Sequence, residues 1–248
     1  MDLGIGGRRA AVAASTSGLG FATAQALAAE GVEVAICGRD RERVEKAAAR
    51  IGGGAVPIVA DVSTPGGATR FVDDAQHALG RLDILVVNVP GTPAGTFGST
   101  GLEAYAPALQ NHVLSAVAMC KAAVPGMQAR GWGRVVAITS VGVRQPIQDL
   151  ILSNTGRAGL TAFLKTLALE VAPDGVTVNS VQPGYHRTER LEAWAGDRLD
   201  GLAADVPARS VGDPAGLGAM VAFLCSQPAG YLTGTAIPID GGLYRGLQ

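Results

Sequence analysis

The sequence contains few cysteines and few charges, and neither is arranged in a recognisable functional cluster. The three cysteines, Cys37, Cys120 and Cys225, lie far apart and form no CxxC or Cys–His pattern. This spacing predicts buried apolar thiols in a reducing cytoplasm rather than disulfides, and it predicts no metal site. The net charge of -1 gives no electrostatic basis for binding nucleic acid or an anionic membrane surface.

Long hydrophobic runs are also missing. No run approaches the roughly 18–20 apolar residues that span a bilayer, and the N-terminus lacks the pattern of a signal peptide. We therefore expect a cytoplasmic protein that does not associate with membranes. The 248 residues are 48% hydrophobic, which predicts a globular core. Because no linker or break in composition divides residues 1–248, we predict one domain.

Short β-branched runs alternate with longer helical patterns. We predict seven strands, at residues 9–14, 32–37, 55–60, 83–88, 134–139, 176–181 and 235–240. They are nearly all apolar, as is typical of parallel strands that are covered on both faces. The alternation therefore predicts an α/β protein with a doubly wound, seven-stranded parallel sheet and helices on both faces. Asp40 and Gly52 are predicted to cap the second helix, and Gly31 to end the first.

A glycine-bearing turn joins the first predicted strand to the first helix. Gly18 and Gly20 would let the backbone approach a pyrophosphate at the helix N-terminus, where free N–H groups and the helix dipole favour an anion. Ser15, Thr16 and Ser17 can add hydroxyl contacts. The turn therefore predicts a dinucleotide-binding site at the start of the chain.

At this turn the chain resembles the short-chain dehydrogenase/reductase family, whose fingerprint is TGxxxGxG. The corresponding residues 13–20 read AASTSGLG, so Ala14 replaces the first glycine. Alanine suits the turn if its φ is negative, and we expect nucleotide binding to be weakened rather than abolished. The resemblance implies a cofactor-binding turn formed by Ala14, Ser15, Ser17, Gly18, Leu19 and Gly20.

The resemblance continues in order along nearly the whole chain. It implies further cofactor-binding positions at Asp61, Val62, Asn88, Pro183, Gly184 and Thr188. The segment YLTGTAIPIDGG (231–242) is similar to the family's C-terminal strand. Ordered matches of this kind are specific for a fold, here a single Rossmann domain, and less specific for chemistry. The family also implies a homo-oligomer, either a homotetramer or a homodimer.

The end of the second strand bears on the choice of nucleotide. An acid there would bind the ribose 2′-OH of NAD, but the strand ends with Cys37, Gly38 and Arg39. A guanidinium suits the 2′-phosphate of NADP. Asp40 argues mildly for NAD, although it also serves as a helix cap. We therefore predict NADP(H) in preference to NAD(H).

The catalytic segment departs from the family pattern. In this family a serine ends the fifth strand, and the tyrosine of a YxxxK motif follows thirteen residues later. Ser140 keeps the serine, whereas Ser153 and Arg157 replace the tyrosine and the lysine. The chain thus resembles an atypical subgroup, similar to β-ketoacyl reductases, that carries SNxxR. The resemblance implies catalytic positions at Asn111, Ser140, Ser153 and Arg157, and it implies that Arg157 holds the nicotinamide ribose.

These replacements remove the usual proton donor. A phenol has a pKa of about 10 that a neighbouring ammonium can lower, whereas a serine hydroxyl is far less acidic and arginine keeps its proton. We therefore interpret Ser153 as a helix cap and Ser140 as a hydrogen-bond donor to a substrate oxygen. The remaining candidate acids or bases are His112, Asp149, Tyr185 and His186.

Three functions are consistent with these residues. The first is an NADP(H)-dependent oxidoreductase that acts on a small carbonyl or alcohol substrate with an altered proton donor. The second is a non-redox enzyme on the same scaffold, such as an isomerase, dehydratase or cyclase. The third is a catalytically inactive nucleotide-binding or assembly protein. Residues 188–208 carry Leu191, Trp194, Leu199 and Leu202 at near-helical spacing, which predicts an apolar substrate lid.

Overall fold

The computed structural model describes residues 1–247 except for the side chain of Asp200, so Gln248 at the end of the predicted domain lies outside the described residues. Seven strands form one sheet. Their bounds are β1 Arg9–Val12, β2 Glu33–Gly38, β3 Val56–Val59, β4 Ile84–Val87, β5 Gly133–Ile138, β6 Val176–Pro183 and β7 Ala236–Ile239. Each corresponds to a predicted strand, with ends that differ by up to two residues.

The sheet is parallel throughout, with the strand order β3-β2-β1-β4-β5-β6-β7. The predicted fold class, a single Rossmann-type domain with a seven-stranded parallel sheet, is therefore confirmed. The chain reverses its direction of winding between β1 and β4, which are neighbours in the sheet. In sheets of this kind the crevice beyond the carboxyl ends of these two strands is where ligands bind.

Nine α-helices lie in the part of the chain that the structure describes. Their bounds are α1 Gly18–Ala29, α2 Arg41–Ile51, α3 Pro65–Leu79, α4 Tyr105–Leu109, α5 Ser115–Ala129, α6 Ile151–Val171, α7 Glu189–Ala195, α8 Leu199–Asp205 and α9 Pro214–Leu224. A π-helical turn at Gln110–Leu114 joins α4 to α5. No helix among the described residues is long and apolar enough to cross a membrane.

The two faces of the sheet bury separate hydrophobic cores. On one face α3, α5 and α6 contribute fully buried side chains such as Phe71, Met119 and Leu160. On the other face α1 and α9 bury Leu27 and Leu217. This two-sided burial explains why the strands lack the polar alternation of a half-exposed sheet.

Local capping signals act as predicted. The Asp40 side chain accepts a hydrogen bond of 2.8 Å from the Arg43 backbone N–H, which starts α2. Gly52 has φ 75° and ends that helix, and Gly31 has φ 77° just beyond α1. Both glycines adopt a conformation that strains other residues, so each helix stops where the sequence indicates.

Helices α1 and α9 cross closely because Gly218 has no side chain. A Cβ atom at Gly218 would lie 2.5 Å from the Ala22 carbonyl oxygen. Backbone atoms cannot move aside as the end of a flexible side chain can, so any larger residue forces the helices apart.

We expect Gly218→Ala to lower the free energy of unfolding by about 1–3 kcal/mol through overpacking. Gly216→Ala is the matched control, since it lies on the same helix and a Cβ there has no atom within 4 Å. The control should raise stability by up to about 1 kcal/mol through helix propensity. Equal chemical-denaturation midpoints for the two variants would contradict this account of the helix crossing.

Candidate active site

Three adjoining cavities follow the carboxyl edge of the sheet. The outer cavity, about 290 Å³, lies beside Arg39 and Asp61. The central groove, about 680 Å³, runs from Ser17 to Arg157. The inner cavity, about 180 Å³, lies around Ser140. The outer cavity shares Ala14, Ser17 and Pro90 with the groove, and the groove shares Arg157 and Arg190 with the inner cavity. Together they form one continuous crevice.

The glycine turn lines this crevice at the switch point between β1 and β4. Ser17, Gly18 and Leu19 border the central groove. Ser15 does not, because it is fully buried and its hydroxyl donates to the Val12 carbonyl at 2.6 Å. Its Oγ also accepts from the Cys37 backbone N–H at 3.3 Å. Ser15 therefore holds the turn against β2, and its hydroxyl does not face the groove.

Asn88 and Gly20 support the turn from beneath. The Asn88 side-chain amide donates to the Ala14 carbonyl at 3.0 Å. A Cβ atom at Gly20 would lie 2.7 Å from both the Ala14 carbonyl oxygen and the Asn88 side-chain nitrogen. Glycine is thus required at position 20 for close packing of α1 against the strand ends.

Ala14 differs from the expectation. We expected a negative φ, and the structure gives a φ of 46°. This is the left-handed region, where a Cβ atom crowds the following carbonyl. The conformation is held by two contacts, since the Ala14 N–H lies 3.3 Å from the Cys37 sulfur and its carbonyl accepts from Asn88. The backbone of the turn thus has the left-handed conformation that glycine favours, although residue 14 is alanine.

The outer cavity brings Arg39, Asp61 and Val62 together as predicted. The Asp61 carboxylate accepts from the Ser63 hydroxyl at 2.7 Å and from its backbone N–H at 3.0 Å. The Ser63 hydroxyl bond is the main cause that lowers the pKa of Asp61, and the Arg39 charge lowers it further. The cavity thus combines a fixed carboxylate with an exposed guanidinium.

Ser140, Ser153 and Arg157 meet at the inner cavity. Ser140 Oγ accepts from the Gly142 backbone N–H at 3.0 Å. Ser153 Oγ accepts from Arg157 Nε at 3.3 Å, one helical turn along α6. Neither hydroxyl donates a hydrogen bond among the described residues, so both protons are available to an oxygen of a ligand.

Arg157 is anchored to the end of β5. Its Nη1 donates to the carbonyls of Ile138 at 2.8 Å and Thr139 at 2.9 Å. Burial lowers the pKa of Arg157 to about 10, and the charge of Arg190 lowers it as well. The guanidinium therefore stays positive at neutral pH.

The interpretation of Ser153 as a helix cap is wrong. Helix α6 begins at Ile151, and Leu150 occupies the cap position. Ser153 lies inside the first turn, and its side chain contacts Arg157 instead. The reason is that the chain enters the helix three residues earlier than the cap assignment requires.

Asn111 and His112 lie behind the cavities rather than in their walls. Asn111 donates to the Pro90 carbonyl at 2.8 Å, and its own side-chain oxygen is buried without a partner among the described residues. His112 is fully buried beneath Gly156, where a Cβ atom would lie 2.8 Å from the His112 Cβ. Burial, with the charges of Arg157 and Arg190, lowers the pKa of His112 to about 3. His112 is therefore neutral and remote from a ligand in the crevice.

Two of the remaining acid candidates line the inner cavity, and one does not. Tyr185 stacks on Trp194 with ring centroids 6.1 Å apart, and burial raises its pKa. Burial lowers the pKa of His186, whose Nδ1 lies 3.3 Å from the Gly184 carbonyl. Asp149 is exposed and lies outside the inner cavity.

The loop after β6 crosses the crevice. Pro183, Gly184 and Thr188 all line the inner cavity, as the sequence resemblance implies. Thr188 Oγ1 accepts from the Leu191 N–H at 3.2 Å and caps α7. Leu191 and Trp194 of the predicted lid also line this cavity.

Sequence reasoning missed Arg190. Its Nη2 donates to the Thr92 carbonyl at 2.9 Å, across the groove from α7. The guanidinium lies so close to Gly91 that a Cβ atom there would be 2.1 Å from its carbon. The sequence feature that could have identified Arg190 is its position, two residues after Thr188 and within the predicted lid.

A parallel sheet with a glycine turn at its switch point, and a crevice that runs from a guanidinium to two serines, defines the dinucleotide-binding Rossmann class. A family model described as Enoyl-(Acyl carrier protein) reductase matches residues 13–244. The chain belongs to the short-chain dehydrogenase/reductase family of oxidoreductases.

Curated relatives cover nearly the whole chain. "Dehydrogenase/reductase SDR family member 4" of Homo sapiens is 33% identical over 239 residues, which are 94% of this chain and 86% of that protein. The acetoacetyl-CoA reductase of Cupriavidus necator is 32% identical over 243 residues, or 96% of this chain and 99% of the relative. These relatives include reductases of the β-ketoacyl type.

A solved structure shares the fold along the full length. The L-sorbose reductase of Gluconobacter frateurii, in complex with NADPH and L-sorbose, superimposes with a TM-score of 0.93. Its sequence is 32% identical, and all of both chains is covered.

We expect Ala14→Gly to raise the free energy of unfolding by about 1 kcal/mol, because glycine removes the left-handed strain at a smaller entropic cost. Ala13→Gly is the neighbouring control. Ala13 is fully buried and has no positive φ, so its replacement should destabilise the protein. Thermal unfolding of both variants measures the difference. A lower stability for Ala14→Gly would contradict the strain argument.

Proposed function

We propose that the protein is an NADP(H)-dependent oxidoreductase that interconverts a small carbonyl compound and its alcohol. The observation that carries this proposal is the continuous crevice from Arg39, past the glycine turn, to Ser140 and Ser153. Its outer end presents the exposed Arg39 guanidinium beside Asp61, its middle is lined by backbone of the turn, and its inner end has two hydroxyl donors. In this order along the crevice, the three surfaces suit a phosphorylated dinucleotide followed by a substrate oxygen.

The chain's own residues fit the dinucleotide. Arg39 would hold the 2′-phosphate and Asp61 the adenine side, while Ser17 and Gly18 border the path of the pyrophosphate. Three N–H groups of Arg157 bond to protein, so its Nη2 remains for the nicotinamide ribose hydroxyls. When bound, the nicotinamide supplies or accepts the hydride.

The inner cavity would position the substrate oxygen. Ser140 and Ser153 donate their hydroxyl protons to it, and the Arg157 charge stabilises the negative charge that develops as hydride arrives. Neither serine is acidic enough to give up its proton completely. His186 shares its Nδ1 proton with the Gly184 carbonyl and presents an acceptor. We propose that the two serine hydroxyls and the Arg157 charge hold the alkoxide oxygen, and that it takes its proton from solvent water, whose hydroxide is neutralised by buffer in the bulk.

A non-redox reaction on the same scaffold is the second candidate. Two serine hydroxyls beside a buried guanidinium, without a carboxylate in the described wall, suit the stabilisation of an enolate or another oxyanion. An isomerase, dehydratase or cyclase needs this feature and needs no hydride. Nucleotide binding and turnover distinguish the two candidates.

We also propose one cytoplasmic domain over residues 1–248, with residues 188–208 as a substrate lid. We propose that the protein assembles as a homotetramer or homodimer. The lid is supported by Leu191 and Trp194 in the inner cavity wall. The assembly is supported by the family resemblance and by the exposed Leu169 on α6.

We expect purified protein to bind NADPH more tightly than NADH. Arg39→Ala should weaken NADPH binding at least about tenfold and leave NADH binding unchanged, because only NADPH carries the 2′-phosphate. Arg41→Ala is the control, since Arg41 is paired with Glu45 at 3.6 Å on the exposed face of α2. Calorimetric titration of the natural protein and both variants with each nucleotide measures the affinities. Equal losses for both nucleotides would sink the assignment of Arg39 to the 2′-phosphate.

We expect the double variant Ser153→Tyr, Arg157→Lys to reduce small ketones at least about a hundredfold faster than the natural protein, because it restores a positioned proton donor. The control carries Ser153→Phe and Arg157→Lys, which adds similar bulk without the phenol. NADPH oxidation in the presence of the ketone is the assay. If NADPH binds but the tyrosine variant is no faster than the control, the crevice is not arranged for carbonyl reduction.

A further inference from the structure

The inner cavity has an unbalanced charge. Two guanidinium groups, Arg157 and Arg190, line it, and no aspartate or glutamate does so among the described residues. His186 is the other basic side chain in the described wall. It is neutral at neutral pH because burial lowers its pKa. Glu189 borders the neighbouring groove, but its side chain is 79% exposed and lies 3.9 Å from Arg43 on α2. Asp205 and Asp213 act on Tyr185 and His186 from outside the wall, but neither lines the cavity. The charged side chains of the described wall itself are therefore both cationic at neutral pH.

The two guanidinium groups are close enough to affect each other. The charge of Arg190 contributes to the lowered pKa of Arg157 and of the buried His112. Arg157 is fixed by three hydrogen bonds to β5 and Ser153, and Arg190 is tied to the Thr92 carbonyl. Like charges held together in this way repel, and a bound anion would remove the repulsion.

Arg190 is the group that is free to meet this anion. One bond, from Nη2 to Thr92, is the only hydrogen bond of its side chain among the described residues. Its side chain lines both the inner cavity and the central groove. A carboxylate there can bond to the N–H groups that Thr92 leaves unused, since a guanidinium favours carboxylate partners. Solvent reaches this side chain, so the anion can enter from outside.

The other residues of the cavity wall determine which kind of ligand the cavity can hold. Ile147, Leu150, Leu191 and Trp194 are apolar, and Ser140 and Ser153 offer hydroxyl protons. The cavity volume of about 180 Å³ admits a small molecule. A ligand with an oxygen function at one end, a short hydrocarbon chain and an anionic end would satisfy all three surfaces.

We propose that the substrate of this site is a small oxo acid or the corresponding hydroxy acid, whose carboxylate pairs with Arg190 while its carbonyl or hydroxyl oxygen contacts Ser140 and Ser153. This inference rests on the proposed function for the reaction, but the binding of the acid does not require turnover. The pyrophosphate of the dinucleotide is a second source of anionic oxygen, since Arg190 also lines the central groove.

Binding is tested with 2-, 3- and 4-oxopentanoate, each against its primary amide, which has nearly the same shape without the charge. Calorimetric titration is run without nucleotide and again with saturating NADPH. We expect at least one acid to bind about tenfold or more tightly than its amide. Arg190→Gln should abolish that preference and change NADPH affinity less than about threefold. Arg187→Gln, an exposed arginine on the same loop, should change neither.

Each of the other outcomes contradicts one part of the proposal. If no acid binds more tightly than its amide, or if Arg190→Gln keeps the preference, the cavity does not select a carboxylate. If Arg190→Gln weakens NADPH binding as much as acid binding, Arg190 serves the pyrophosphate instead. If the acid preference is present and depends on Arg190 but NADPH does not bind, the proposed redox function fails and the acid site stands.

Discussion

A buried guanidinium at the end of β5 is the interaction on which the site depends. Moving a charge out of water is costly unless its donors find partners. Arg157 meets this requirement with two backbone carbonyls and the Ser153 hydroxyl oxygen, without a carboxylate. These bonds tie α6 to the sheet. Burial, aided by the Arg157 charge, keeps His112 neutral behind the cavity. The replacements at positions 153 and 157 therefore form one mutually supporting unit.

The glycine turn shows the same kind of compensation. Ala14 is held at a positive φ that alanine disfavours, and contacts from Cys37 and Asn88 stabilise it there. A strained backbone conformation persists only where several surrounding contacts hold it in place. The three residues lie at the ends of three neighbouring strands, so the sheet itself keeps the geometry of the turn. An altered fingerprint in the sequence thus corresponds to an unaltered backbone path in the structure.

Family membership and chemistry are separate conclusions for this chain. The fold and the ordered motifs are shared with reductases over nearly the whole length. The inner cavity differs in its own residues: it holds serine and arginine where the family pattern has tyrosine and lysine, and it adds Arg190 from α7. A tyrosine–lysine pair can deliver a proton, whereas the proposed role of this group of residues is to bind oxygen and negative charge. The site is therefore better described by what it binds than by the motif it lacks.

The sequence by itself determined the fold class, the strand positions and the turn, because apolar periodicity and caps such as Asp40 are local signals. Its resemblance to the family predicted that Ser153 and Arg157 stand at the positions of the tyrosine and lysine. Only the tertiary structure decided how these side chains act, since the partners of Arg157 are 18 and 19 residues away and Arg190 reaches Thr92 across 98 residues. The φ of Ala14 likewise depends on Cys37 and Asn88, which come from other strands. Contacts between strand ends are set by packing, and packing has no periodicity that a single sequence reveals.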